Sequence, residues 1–339
     1  MRRVLPALAM IATMAAPAWT VQPSGVTARL RGVSAASDRV VWASGSGNTL
    51  LRSEDGGATW RRLPNPTTDR LDFRDIDAVS ETTAYALSIG KGTLSRIYKT
   101  TDAGATWALR FANADPEAFF DAMAFWDADH GIAVSDSVNG AFVIVTTADA
   151  GRTWTRVPAD RLPPALPNEG AFAASGTNVA VFGTDQVWFG TGAADRARVL
   201  RSSDRGATWQ IAETPLHAGP SAGIYSVAFR DAQHGVIVGG DYSKESEAVE
   251  NAAVTSDGGK TWTLVKDRGL RGFRSVVKHV PGSRASFLAI GPLGSDLSTD
   301  DGRTWSAVEG PGFDTFSFAP GKTVGWGAGN RGAIGRYTK

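Results

Sequence analysis

The sequence predicts an all-β chain, a seven-bladed β-propeller of four-stranded blades, and three observations predict it. An eight-residue box stands six times: hydroxyl residue, any, Asp, any, Gly, any, Thr, Trp. It reads SEDGGATW at 53–60, TTDAGATW at 100–107, TADAGRTW at 147–154, SSDRGATW at 202–209, TSDGGKTW at 255–262 and STDDGRTW at 298–305. The box tryptophans, Trp60, Trp107, Trp154, Trp209, Trp262 and Trp305, are spaced by 47, 47, 55, 53 and 43 residues, the period of propeller blades. Seven segments open the repeats: LRGVSAA, FRDIDAV, FDAMAFW, AFAASG, IYSVAFR, FRSVVKH and FDTFSFA.

The chain's 339 residues, 42% hydrophobic and 20% charged, suffice for a large core, and 39 glycines suit short strands and tight turns. At its start, Arg2 and Arg3 precede the apolar run VLPALAMIATMAA, and Ala16-Pro17-Ala18 fits a small-x-small cleavage site. Residues 1–18 therefore read as a signal peptide, and 19–339 as one propeller domain of a periplasmic or secreted protein. No later segment is long and apolar enough to span a membrane, so none is expected in the mature chain. The absence of cysteine excludes disulfides, thiolate catalysis, cysteine-ligated metals and a lipoprotein anchor. A formal charge of +1 gives no basic field for nucleic acid.

Within one repeat, GIYSVAFRD, VIVGGD, NAAVTSDGGKTW and TLVKD give four strands, a to d, broken at Gly, Asp and His-Gly turns. The box falls in the c–d turn. Its aspartates, Asp55, Asp102, Asp149, Asp204, Asp257 and Asp300, are expected to accept from their own turn amides. The tryptophans then open the outer strand and pack between sheets. Six copies spread around a ring cannot form one site, so the boxes read as structural. The seventh repeat, 313–338, lacks a box and a fourth strand, and Trp19-Thr20-Val21-Gln22 resembles a strand d. Closure by this N-terminal strand would remove the sheet edges.

The box is the Asp-box, or BNR, repeat, found in sialidases, some endoglucanases and sortilin-type receptors. The blade form V-x-F-x-D-x-x-H/Y-G-x-x-V-G followed by the box resembles the Ycf48/HCF136 family over essentially the whole mature chain. That resemblance implies a seven-bladed assembly factor, in that family for photosystem II, here for an envelope or membrane complex. A hydrolase is the alternative. A sialidase-like site would need three arginines, a tyrosine nucleophile with a carboxylate partner and an acid/base. The early arginine motif is absent, sialidases have six blades, and a related endoglucanase needs two propellers with paired carboxylates.

Function is expected at the channel mouth opposite the boxes. The residue after the leading apolar one in each first strand is Arg31, Arg74, Asp121, Phe172, Tyr225, Arg274 or Asp314. The b–c loops of that face are expected to add Asp136, Asp185, Asp241, Lys244, Asn330 and Arg331. Arginine's planar fork suits carboxylate or phosphate, so the mouth reads as a grip for a protein or peptide client, or as arginines and aspartates pairing with one another. A glycan-directed hydrolase or lectin would use the same mouth. Two long loops, 158–170 with four prolines and 241–251, belong to this face. No metal or cofactor is expected: the four histidines lack ligand spacing, Asp127-Ala128-Asp129 reads as a turn, and neither G-x-G-x-x-G on a helix nor G-x-S-x-G occurs. The closed ring is expected to be a monomer.

Overall fold

The computed structural model describes residues 18–338. The leader reading of residues 1–18 therefore lies, but for Ala18, outside the described residues. Seven antiparallel four-stranded sheets follow one another around a ring. Their inner strands are Leu30–Ala35, Asp72–Ala78, Phe120–Phe125, Val179–Phe182, Ala222–Phe229, Val276–His279 and Thr315–Phe318. Blade 7 takes its outer strand, Ala18–Pro23, from the start of the chain, which pairs with Ala333–Thr338 in the register Trp19 opposite Tyr337. This is the closure the sequence predicts. No helix among the described residues is long and apolar enough to cross a membrane.

Each box closes its turn by the same circuit. In the first, Thr59 donates its N–H to Asp55 Oδ1 (2.9 Å) and its hydroxyl to Oδ2 (2.6 Å). Ser53 donates to Asp55 Oδ1 and accepts from the Gly57 N–H, both at 2.8 Å. The circuit recurs at Asp102, Asp149, Asp204, Asp257 and Asp300. The Thr59 and Thr106 hydroxyls lead the bonds that hold Asp55 and Asp102 down at about 2.

The box tryptophans join the cores between blades. Trp60, Trp107, Trp154, Trp209, Trp262 and Trp305 each belong to a different inter-blade cluster. The seventh cluster, between blades 6 and 7, holds Trp19 instead. Its indole lies 4.7 Å from the Phe313 ring and 5.2 Å from that of Tyr337. Trp19 does for the boxless blade what a box tryptophan does for the others.

Blade 4 departs from the sequence reading. Its inner strand is Val179–Phe182, not AFAASG (171–176). Gly170 bridges Gly192 and Val179 pairs with Phe189, so residues 171–178 leave the sheet as a loop and return. That loop crosses the channel as a plug. The Ser175 hydroxyl donates to the Ser275 carbonyl (2.8 Å), and the Ser175 carbonyl accepts from Thr315 Oγ1 (3.1 Å). Thr177 donates to Ser226 Oγ (2.7 Å). Gly176 sits at φ +72°, where an added Cβ would fall 2.2 Å from Asp75 Oδ1, so only glycine fits. The plug separates a mouth cavity of about 560 Å³ from one of about 360 Å³ on the box side.

Candidate functional site

The mouth is built by a repeated irregularity. In blades 1, 2, 3 and 5 the inner strand breaks register at one residue: between Leu30 and Gly32, Phe73 and Asp75, Phe120 and Ala122, and Ile224 and Ser226. The bulged residues are Arg31, Arg74, Asp121 and Tyr225. A bulge leaves its residue unpaired and re-aims the side chain, which here turns it toward the channel. All four line the mouth cavity, together with Phe172, Asp136 and Asp314.

The arginine arc lies on blades 1 and 2. Arg74 donates to Asp72 Oδ2 (3.0 Å) and to the plug's Ala173 carbonyl (3.0 Å). Arg31 reaches the same carbonyl only at 3.5 Å and lies 3.9 Å from Asp314. Its Nε is buried without a hydrogen-bond partner. Burial pulls the Arg31 guanidinium down to about 10, despite Asp314. Asp314 belongs instead to Arg29, which grips it with two bonds of 2.8 and 2.9 Å.

The acidic arc lies on blade 3. Asp121 is 1% exposed, and its Oδ2 has no hydrogen-bond partner. Burial, with nearby Asp136 adding to it, pushes its carboxyl well above the usual carboxylate range. Asp136 accepts the Ala171 N–H at Oδ1 (2.8 Å), and burial raises it to about 6. The aromatic arc completes the wall. Phe172, carried by the plug rather than by a strand, stacks on Tyr225 with centroids 4.1 Å apart and planes at 7°. Phe273 meets Tyr225 edge-on at 4.6 Å, and Tyr225 donates its hydroxyl to the Ser221 carbonyl (2.9 Å).

Two expected mouth residues are elsewhere. Arg274 is 1% exposed and turned away to buried Asp296, its Nε 2.8 Å from Oδ2. Strand a of blade 6 starts only at Val276, so no bulge re-aims this arginine. Asp185 stands in the a–b turn of blade 4, on the box face, where its carbonyl accepts the Arg205 N–H (2.9 Å). The displaced inner strand shifts that blade's loops by one. Asp241, at the end of strand b of blade 5, and Lys244, Asn330 and Arg331, on b–c loops, do lie on the mouth face but outside the cavity lining. Asp241 caps its loop through Ser221 and Ser243, and Lys244 pairs with Glu247 at 3.4 Å. Lining residues that the alignment of first strands passes over are Arg29, Tyr242, Glu245 and Phe273. Arg29 was within reach of a period-two reading, two residues before Arg31 on the same side of the chain.

Comparison with known proteins places this geometry in context. No protein-family model matches the chain, and no curated protein matches it. Among solved structures it is similar to YCF48 bound to D1 peptide: 16% identity, TM-score 0.67, covering 95% of this chain and 97% of that one. It is similar to YCF48 from Cyanidioschyzon merolae at 15% identity and TM-score 0.63, over 94% and 98% of the two chains. A GH74 xyloglucanase from Xanthomonas campestris shares 12% identity at TM-score 0.61. The match covers 94% of this chain but 53% of the xyloglucanase, so the chain spans about half of that enzyme. At these identities the likeness is one of fold, and with the two YCF48 structures it covers nearly all of both chains.

Proposed function

We propose that the protein is a non-catalytic binding or assembly factor that holds an acidic peptide segment of a client protein in the mouth cavity. One observation carries the reading. Arg31 and Arg74 converge on a single neutral carbonyl, that of Ala173, and Arg31 keeps a buried Nε with no partner. A carboxylate is a better acceptor for two guanidinium groups than one amide oxygen, because charge-assisted bonds are roughly twice as strong. The plug closes the channel below, so a bound segment enters and leaves by one mouth. The fold likeness to a YCF48 structure with bound peptide supports a peptide client. The leader reading supports a client in the cell envelope, a membrane-complex subunit being the kind the Ycf48 resemblance implies.

The hydrolase reading is weaker. Of the four carboxyls that line the cavity, Asp314 is gripped by Arg29, Asp136 accepts from the plug backbone and Asp121 is almost wholly buried. That leaves Glu245 without a second open carboxylate to work with. No pair of the four faces an open cleft together. The test is capture from the native envelope with tagged wild type and with an Arg31→Ala, Arg74→Ala variant, both checked for folding. A client held by wild type and released by the variant supports the reading. Identical captures, or hydrolysis of a glycan that the variant loses, would sink it.

A further inference from the structure

The arginine arc accounts for one side of the mouth. The opposite side, on blades 5 and 6, sets exposed aromatic and aliphatic side chains beside Glu245, and that apolar exposure is unusual for this molecule. Six large apolar side chains are exposed among the described residues, and four of them, Leu94, Tyr242, Val249 and Leu293, stand on b–c loops of the mouth face. The other two, Val21 and Leu109, are on outer strands of separate blades. Isolated exposed apolar residues need no explanation, but a group on one face beside a cavity does.

One of the four, Tyr242, lines the cavity, and a second, Leu293, stands in a turn next to a lining residue. Tyr242 remains 53% exposed, and its ring stands edge-on to both Phe172 and Tyr225 at 6.4 Å. Its N–H donates to the Ser221 carbonyl (3.2 Å), which holds the base of the loop in place. Leu293 is 58% exposed in the two-residue turn it shares with Pro292, and Pro292 lines the cavity. The mouth thus offers donors for an anion on blades 1 and 2, and an exposed aromatic and aliphatic shelf at its rim on blades 5 and 6. A cavity of about 560 Å³ holds both halves of such a ligand within one site.

Building on the acidic-peptide reading, we propose that the mouth recognises a two-part signal: a carboxylate for Arg31 and Arg74, and a bulky apolar side chain close to it in the same peptide, seated on Tyr242 and Leu293. The arginines supply charge complementarity, and the shelf supplies the desolvated anchor on which interface energy concentrates. Tyrosine suits the shelf because it offers a broad apolar face with few rotatable bonds.

The test uses three fluorescein-labelled decapeptides and the full-length mature protein, read by anisotropy. One peptide carries two glutamates followed by phenylalanine, the second replaces the phenylalanine by serine, and the third replaces the glutamates by glutamine. The first is expected to bind wild type at least about tenfold more tightly than the second. A Tyr242→Ser, Leu293→Ser variant is expected to erase that advantage while still binding the second peptide. Equal affinity of wild type for the first two peptides, or an advantage that survives in the variant, overturns the two-part signal and leaves the acidic-peptide reading standing. Failure of every peptide to bind, or equal binding of the glutamine peptide, overturns both. Flotation of wild type, but not the variant, with neutral phospholipid vesicles, with no peptide preference, would assign the shelf to a membrane surface and overturn the proposal.

Discussion

The two faces of the ring treat the same side chain in opposite ways. On the box face, Asp55 and Asp102 are held down at about 2 by the bonds they accept from a threonine hydroxyl and amide in their own turn. On the mouth face, Asp136 is pushed up to about 6 by burial, and burial likewise drives Asp121 well above the usual carboxylate range. The box face is a set of closed hydrogen-bond circuits repeated six times. The mouth face keeps a carboxyl oxygen and a guanidinium nitrogen without partners. Polar groups left incompletely satisfied cost stability, and two of them, Arg31 Nε and Asp121 Oδ2, belong to side chains that line the cavity proposed to bind the client.

The sharpest way to break this contrast is to exchange the effects. Arg31→Ala with Arg74→Ala is expected to weaken acidic-peptide binding by about 3 kcal/mol, roughly a hundredfold. The same variant should change unfolding free energy by less than about 1 kcal/mol, measured by urea titration. A large stability loss with unchanged affinity would make the arginines structural. Asp257→Ala on the box face is expected to do the reverse. Losing the bonds from Thr255, Lys260 and Thr261 should cost about 2 kcal/mol of stability and leave affinity untouched.

Acidity separates the faces next. A box aspartate has its folded value depressed, so its stabilisation is complete above about pH 4 and is lost as pH falls toward 2. Asp136 is raised, so its contribution is present below about pH 4 and is lost as pH rises through 6. Asp136→Asn, which keeps an acceptor for the Ala171 N–H, should therefore stabilise the protein by about 1–2 kcal/mol at pH 8 and by nothing at pH 4. Thermal melts at the two values test this. The smallest expected effect is on binding: wild type should lose a few-fold in acidic-peptide affinity between pH 5 and pH 7.5 as Asp136 ionises, and the Asn variant should not. A flat wild-type profile would detach Asp136 from the ligand.

The repeat carries most of what is legible without coordinates. Box, spacing and strand pattern dictate blade number, the position of each turn and the role of Trp19, because each depends on local periodicity. Arg31, Arg74, Asp121 and Tyr225 were reachable for the same reason, since the bulge recurs at one place in the blade. Arg274 was not, because its partner Asp296 lies on another strand of its blade and nothing local announces the pairing. The plug was hidden for a related reason. AFAASGTN has the apolar start of an inner strand, and only its small residues and Gly176 hint that it packs against other backbone across the channel.

The closure by Trp19 also sets an order of events for folding. Trp19 and Tyr337 lie near opposite ends of the described chain, so their pairing closes a loop of more than 300 residues. Blades 1 to 6 each complete themselves from neighbouring sequence, and can assemble as contacts of short range. Blade 7 must wait for the first strand to find the last. During that wait Ala333–Thr338 is an open edge, available to the corresponding strand of another molecule as readily as to its own. At high concentration the same strand exchange that completes the ring would link one ring to the next.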